Sequence, residues 1–446
     1  MEAIYQYAWQ HKMYHDEELT LDDGRPLRVC NPGIPNRDAG PDFSSARVEV
    51  DGVRWCGNVE IHVKASDWFR HGHDRDMAYD NIVLHVVAES DAEIRRADGT
   101  VIPQLTIRLL DGVEQVYDIY NEGIMPLRCN GFIKHLDPIE KVFWVEALAI
   151  ERLQAKADRA TEICKNLGGD WRQTCFALTA RALGFGLNSE PMEMLGRNLP
   201  LSFSGRHADN IFQLEALIFG QAGLLDASEN ILDPYYQDLC REYYFLAQKY
   251  GLRPMNRKVW KFARTRPQNF PHRRLAMLAQ LLHGGFTLPG EITDTGDDID
   301  RLRELFDIEL SGYWAHRFNF GDEQRLVSCT LSRSSVDILI INVAAPLLYA
   351  QGRLRGNYGM QENAVTILEC LPAEKNSIVR SFSEAGIKAD SAKVSQALIQ
   401  LKKQYCDAGR CTQCRFGFRI MQLICRHWRD PAETKTETWN LNPMME

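Results

Sequence analysis

The hydrophobic period of this chain changes once, and that change decides its architecture. In the first part apolar and polar residues alternate, most clearly where Val59, Ile61 and Val63 interleave with Glu60, His62 and Lys64. A period of two sends such trios to opposite faces of a strand. Beyond Pro126 apolar residues recur at steps of three and four through 139–157, 171–183, 212–225, 234–250, 275–282, 299–305 and 336–348, the spacing of helices. The expected fold class is therefore α+β: a mixed α/β domain over 1–128, a mostly α-helical domain over 129–430, and a mobile tail over 431–446. With 446 residues, 45% of them hydrophobic, both domains can bury a core. The acid-rich segment 287–298, with Leu288-Pro289-Gly290, reads as a loop.

Within the first part the pattern predicts a helix over 3–14, a strand over 27–30, strands over 47–50 and 53–56 around Asp51-Gly52, and a strand over 57–64. A helix over 67–80, a strand over 81–87 and further alternation over 101–110 follow. Aspartate-glycine favours a tight two-residue hairpin turn. Asp42 then enters one strand of the hairpin while Glu60 stands on the next, with His62 and Lys64 on its face. Two carboxylates so placed suit a divalent cation, which takes oxygen ligands. A neighbouring basic group then orients the attacking water.

Helix, three strands, helix, strand, with Pro41-Asp42 and Glu60-Ile61-His62 at these places, resembles the PD-(D/E)XK nuclease superfamily. The resemblance implies a nuclease-like N-terminal domain and metal-dependent phosphodiester cleavage in nucleic acid. It makes Asp42 and Glu60 metal-binding and catalytic, and His62 or Lys64 the basic catalytic group. The sequence departs from the pattern in one place, since histidine stands where lysine is expected. That departure keeps an alternative open: a catalytically inactive module of the same fold that binds nucleic acid or protein. The segments GPDF, GNVEIH, DWFRHGHDRDMAYDNIVLHVV, EALIFGQAGLL and RTRPQNFPHRR, with the C-terminal cysteines, also resemble a bacterial family known only as a domain of unknown function, which implies no activity.

Histidines crowd the same stretch. His71, His73 and Asp76 fall in or before the helix predicted over 67–80, and His85 in the next strand. The candidate metal ligands are thus Asp42, Glu60, His73, Asp76 and His85. Carboxylates alone suit magnesium or manganese, whereas convergence of His62, His73 and His85 points to a transition ion such as zinc. A small-molecule enzyme using a transition metal is a third reading.

Two constellations lie in the helical part. Cys406, Cys411 and Cys414 form C-x4-C-x2-C, a spacing that lets thiolates wrap one zinc ion or an iron–sulfur cluster, with Cys425 or a histidine such as His427 as the fourth ligand. Between 253 and 274 stand Arg253, Arg257, Lys258, Lys261, Arg264, Arg266, Arg273 and Arg274 without a single acid, interleaved with Trp260, Phe262 and Phe270. Such a run suits phosphate contact and base stacking, so nucleic acid is the expected partner; the rival reading is ion pairing within the protein. The overall charge of −8 argues against indiscriminate nucleic-acid binding, though it is an average that a local basic patch escapes. No N-terminal signal is seen and no window of about twenty apolar residues stands out. With isolated cysteines such as Cys175, Cys240 and Cys329, the expectation is a cytoplasmic protein with reduced thiols and no membrane partner.

Overall fold

Asp51 and Gly52 both take positive φ, 49° and 77°, the geometry that a tight hairpin turn requires. On either side run β3 (Phe43–Val50) and β4 (Val53–Lys64), antiparallel, with Val50 opposite Val53. The strands expected over 53–56 and 57–64 are thus one. The computed structural model that shows this describes residues 2–429, apart from 17, 37–39, 97, 115–116, 118–126, 227–230, 264, 322 and 324–327, and gives only the backbone of 424–429. The tail expected over 431–446 lies outside the described residues.

Around this hairpin, β1 (Leu27–Asn31) and β2 (Ile34–Pro35) pair with β3, both antiparallel. After β4 the sense changes: β5 (Ile82–Glu89) runs parallel to β4, and β6 (Gln104–Thr106), much shorter than the alternation over 101–110 suggests, runs parallel to β5. The sheet order is β1-β3-β4-β5-β6, preceded by α1 (Glu2–His11). A parallel pair needs a crossover. Here it is not the single helix predicted over 67–80 but α2 (Asp67–Arg70) and two 3-10 turns, His73–Arg75 and Met77–Tyr79. Gly72, at φ 77°, ends α2 because no helix continues through a left-handed residue.

Both faces of the central strands are buried. Val59 and Ile61 pack with Trp9, Phe43, Leu84 and Val86. Opposite them the crossover lays Trp68 and Tyr79 over Ala65, Ile82, Val87 and Ile102. Gly57 is required where β4 meets the entry to β5, since a Cβ there would strike the Val83 side chain and stand 2.7 Å from the Asn81 carbonyl oxygen.

The chain divides into two compact units, and not at residue 128. The first is Met1–Lys141 together with Lys403–Glu446; the second is Val142–Lys402. The C-terminal cysteines therefore belong with the sheet, not with the helical domain. In the second unit the helices Trp171–Leu183, Pro234–Tyr250 and Ile299–Leu305 stand where their periodicity puts them. Segment 287–298 is a correction: Leu288–Thr295 is a helix, with Pro289 in the first turn, where it needs no N–H, and Leu288 and Ile292 buried one turn apart. A second correction concerns apolar length. Arg333–Arg355 is one helix of 23 residues, running through a π turn at Ile340–Ala344, and is long and apolar enough to cross a membrane by composition. Within the protein 83% of its most apolar window is buried, as part of the helical core.

Candidate metal centre

Asp42 and Glu60 are held together by the backbone. The Ile61 N–H donates to Asp42 Oδ2 (3.0 Å), and the Asp42 N–H donates to Glu60 Oε2 (3.0 Å). Gln6 of α1 donates from Nε2 to Asp42 Oδ1 (2.8 Å). A register shift in β3 between Phe43 and Ala46, with Ser45 at φ 57°, bends the strand just after Asp42. Burial pushes the Asp42 carboxyl up to about 6. Glu60 is pushed to about 8 by burial and then by the charge of Asp42, with Glu2 adding to it. Two such acids in one pocket favour a cation between them.

The histidines stand on the other side of Glu60. His73 Nε2 lies 3.2 Å and His62 Nε2 3.8 Å from Glu60 Oε1, while His62 Nε2 lies 3.1 Å from His71 Nδ1. Ligand nitrogens of His62, His71 and His73 all fall within 4.8 Å of one another. Four ligands at zinc bond lengths of about 2.0–2.1 Å stand roughly 3.4 Å apart, so the separations in the structure straddle the required spacing. His62 is buried and His71 exposed, which leaves the cluster open on one side.

A chain of hydrogen bonds sets the tautomers. Gln104 Nε2 donates to Asp22 Oδ2 and Ser90 Oγ, so its Oε1 faces His85 Nδ1 at 3.0 Å and can only accept. His85 Nδ1 therefore carries the proton and Nε2 a lone pair. That lone pair accepts from His62 Nδ1 at 2.8 Å. His62 is left with the Nε2 lone pair aimed at Glu60 and His71. Burial keeps both rings neutral, lowering His62 to about 2, with help from neighbouring His85, and His85 to about 4. A neutral imidazole oriented through its far nitrogen is the form that ligates a metal. Tyr79 stacks on His73 with ring centres 3.8 Å apart, fixing its plane.

The structure thus brings together Asp42, Glu60, His62, His73 and His85 of the expected residues. Two others it uses elsewhere. Lys64 Nζ pairs with Glu89 Oε2 at 2.9 Å in solvent, and the Asp76 carboxylate accepts from the Ala78 N–H to start the last crossover turn. His71 takes the place in the nitrogen cluster expected of Asp76, because the break at Gly72 folds His71 back over β4. Glu2, Gln6 and Gln104 were not legible as site residues. Only the fold carries them from distant positions to this pocket. Beside it, Asp42 lines a cleft of about 490 Å³ together with Gln6, His11, Asn36 and Arg415.

The basic run needs a correction. Arg273 is fully buried and donates to the carbonyl oxygens of Trp314 (2.9 Å), Arg317 (3.0 Å) and Ser328. Arg274, also buried, donates to Asn269 Oδ1 (2.6 Å) and lies over the Phe185 ring. Both stitch the helical core and neither meets a phosphate. Trp260 is buried too, its Nε1 donating to the Ala222 carbonyl. Arg253, Arg257, Lys258, Lys261 and Arg266 are exposed; Arg264 lies outside the described residues.

A mixed sheet with an acid–histidine pocket, in a chain whose second unit is helical, defines an α+β protein with a candidate metal centre. The chain belongs to the family described as protein of unknown function (DUF2851), whose model matches residues 2–377. That match includes the whole pocket and stops short of the C-terminal cysteines. No curated protein and no solved structure matches the chain.

Proposed function

We propose that the protein is a metal-dependent hydrolase of phosphodiester bonds in nucleic acid, with its centre at Asp42, Glu60, His62, His71 and His73. The observation that carries this reading is the Asp42–Glu60 acid pair meeting the oriented, neutral ring of His62, with His71 and His73 beside it. The order of elements around it supports a nuclease-like core: a helix, an antiparallel run of β1, β3 and β4, a crossover, then β5 parallel to β4. The imidazole-rich ligand set favours manganese, iron or zinc over magnesium. Such an ion, when bound, polarises water and neutralises charge on the scissile phosphate. Glu60 and His73 hold the inner side of the centre, His85 and Gln104 fix His62, and exposed His71 faces incoming substrate. The 490 Å³ cleft, with His11 and Arg415 on its walls, suits a phosphate-bearing strand beside Asp42. The absence of disulfides among the eleven described cysteines suits a reducing, cytoplasmic setting.

The pairing of Lys64 with Glu89 favours the second reading, a binding module of the same fold, because it takes the lysine away from the acid–histidine pocket. Cleavage of labelled single- and double-stranded DNA and RNA with manganese, zinc, magnesium or EDTA decides between them. Metal-dependent cutting that Glu60→Gln abolishes supports the hydrolase; metal binding and salt-sensitive nucleic-acid binding without cutting supports the module.

A further inference from the structure

Four cysteines meet where the first unit closes its C-terminal segment onto the sheet-bearing part of the chain. Cys406 ends a π turn, Leu401–Cys406, and a tight return follows, with the Arg410 N–H donating to the Tyr405 carbonyl (2.8 Å) and Gly409 at φ 66°. Cys411 opens a 3-10 turn that ends at Cys414, whose N–H donates to the Cys411 carbonyl (3.2 Å). Gly417 permits the close approach of the next helix, since a Cβ there would strike the Cys411 carbonyl. The fourth cysteine comes from nearly 280 residues earlier in sequence. Arg128 hydrogen-bonds the Cys411 side chain and stands 3.5 Å from where a Cβ on Gly409 would be. That contact brings its neighbour Cys129 to the loop, where its thiol interacts with those of Cys406, Cys414 and Cys411.

We propose that Cys129, Cys406, Cys411 and Cys414 ligate an iron–sulfur cluster that fastens the C-terminal segment to the first unit. Four thiols gathered from two distant segments, none of them in a disulfide, form a soft-metal site rather than a redox pair. Their spacing selects the metal. A single zinc with bonds of about 2.3 Å holds its sulfurs roughly 3.8 Å apart, whereas among the described residues no three of these thiols fall within 4.8 Å of one another. In a cluster each thiolate binds its own iron or corner of a larger body, so wider spacing fits. The Arg128 guanidinium beside Cys411 offsets part of the thiolates' charge and supplies the hydrogen bond to sulfur that tunes such centres. The ligand set differs from that expected from sequence, which sought the fourth ligand at Cys425 or His427, residues whose side chains lie outside those described.

The test is anaerobic purification of the full chain, followed by iron, acid-labile sulfide and zinc analysis and native mass spectrometry, with Cys129→Ser, Cys411→Ser and, as control, Cys370→Ser on an exposed cysteine. Expected is stoichiometric iron and sulfide in the native chain and the control, falling to background in both site variants, with faster proteolysis after Lys403. Zinc in place of iron, no metal in the native chain, or full iron in a folded Cys129→Ser protein each overturns the proposal. Analysis of the native chain alone decides the first two, even where a variant fails to fold.

Discussion

The two units bury charge in opposite ways. In the helical unit the buried ions Glu193, Asp337 and Arg273 meet their complements. Glu193, its carboxyl held down by Arg159, Arg181 and Arg197, accepts from all three at 2.5–2.9 Å. Asp337 accepts from Arg303 at 2.8 Å, and Arg273 is surrounded by carbonyl oxygens. Around Glu60, by contrast, like meets like: acids beside acids, and rings beside rings that burial keeps neutral. A fold stabilised for its own sake pairs its buried charges. That contrast supports the proposed centre, in which a cation between Asp42, Glu60 and the histidines would balance the two acids.

This contrast is broken most directly at its two acids. Glu60→Gln should lower metal-dependent cleavage about 10³-fold while raising the melting temperature of the metal-free protein, because a strained carboxylate is removed; a lower melting temperature would place Glu60 with the structural ions. Glu193→Ala should do the reverse. Stranding three arginines costs about 3 kcal/mol, at the low end for a broken buried pair because the arginines reach solvent, and urea unfolding should register it with metal content unchanged.

Smaller changes sharpen the comparison. Gln104→Leu removes the acceptor that orients His85, and through it His62, so metal affinity in a titration should fall about 10- to 100-fold with little loss of stability. Unaltered affinity would show that the relay orients nothing. Glu215 tests the helical unit's exception: Tyr235 Oη and Trp314 Nε1 both donate to it at 2.8 Å, yet burial raises it to about 7. The folded protein then holds a proton that the unfolded chain, titrating near 4.5, has lost. Its stabilisation is present below pH 4.5 and declines as pH rises to about 7, by roughly 3 kcal/mol. Glu215→Gln should flatten that slope in pH-resolved unfolding. Least affected should be nucleic-acid binding in Lys258→Ala/Lys261→Ala, expected to weaken a few-fold and lose about two units of salt slope; no change would exclude this surface.

Periodicity brought much of the pocket into view. Alternation in β4 places Glu60 and His62 on one face, Asp51-Gly52 sets the hairpin that carries Asp42 alongside, and the parallel return places His85 beside Glu60. His71 escaped because its position depends on how the crossover breaks at Gly72, and Arg273 because a helix reading of 275–282 starts after it. In the structure the helix begins at Pro271 and turns Arg273 inward. Cationic residues in a run look alike in sequence; burial separates them.

Local rules of sequence determined the α+β class, the hairpin, the acid–histidine face of β4 and the three-cysteine loop, because each follows from residue spacing and turn chemistry within a few residues. Only the tertiary structure decided which distant groups complete them: Glu2, Gln6 and Gln104 at the acid–histidine pocket, Cys129 beside the cysteine loop, Arg273 in the core, and the return of the chain to the first unit from Lys403 onward. Those contacts depend on chain closure over tens to hundreds of residues, a cost met by the burial of whole faces rather than by any local preference.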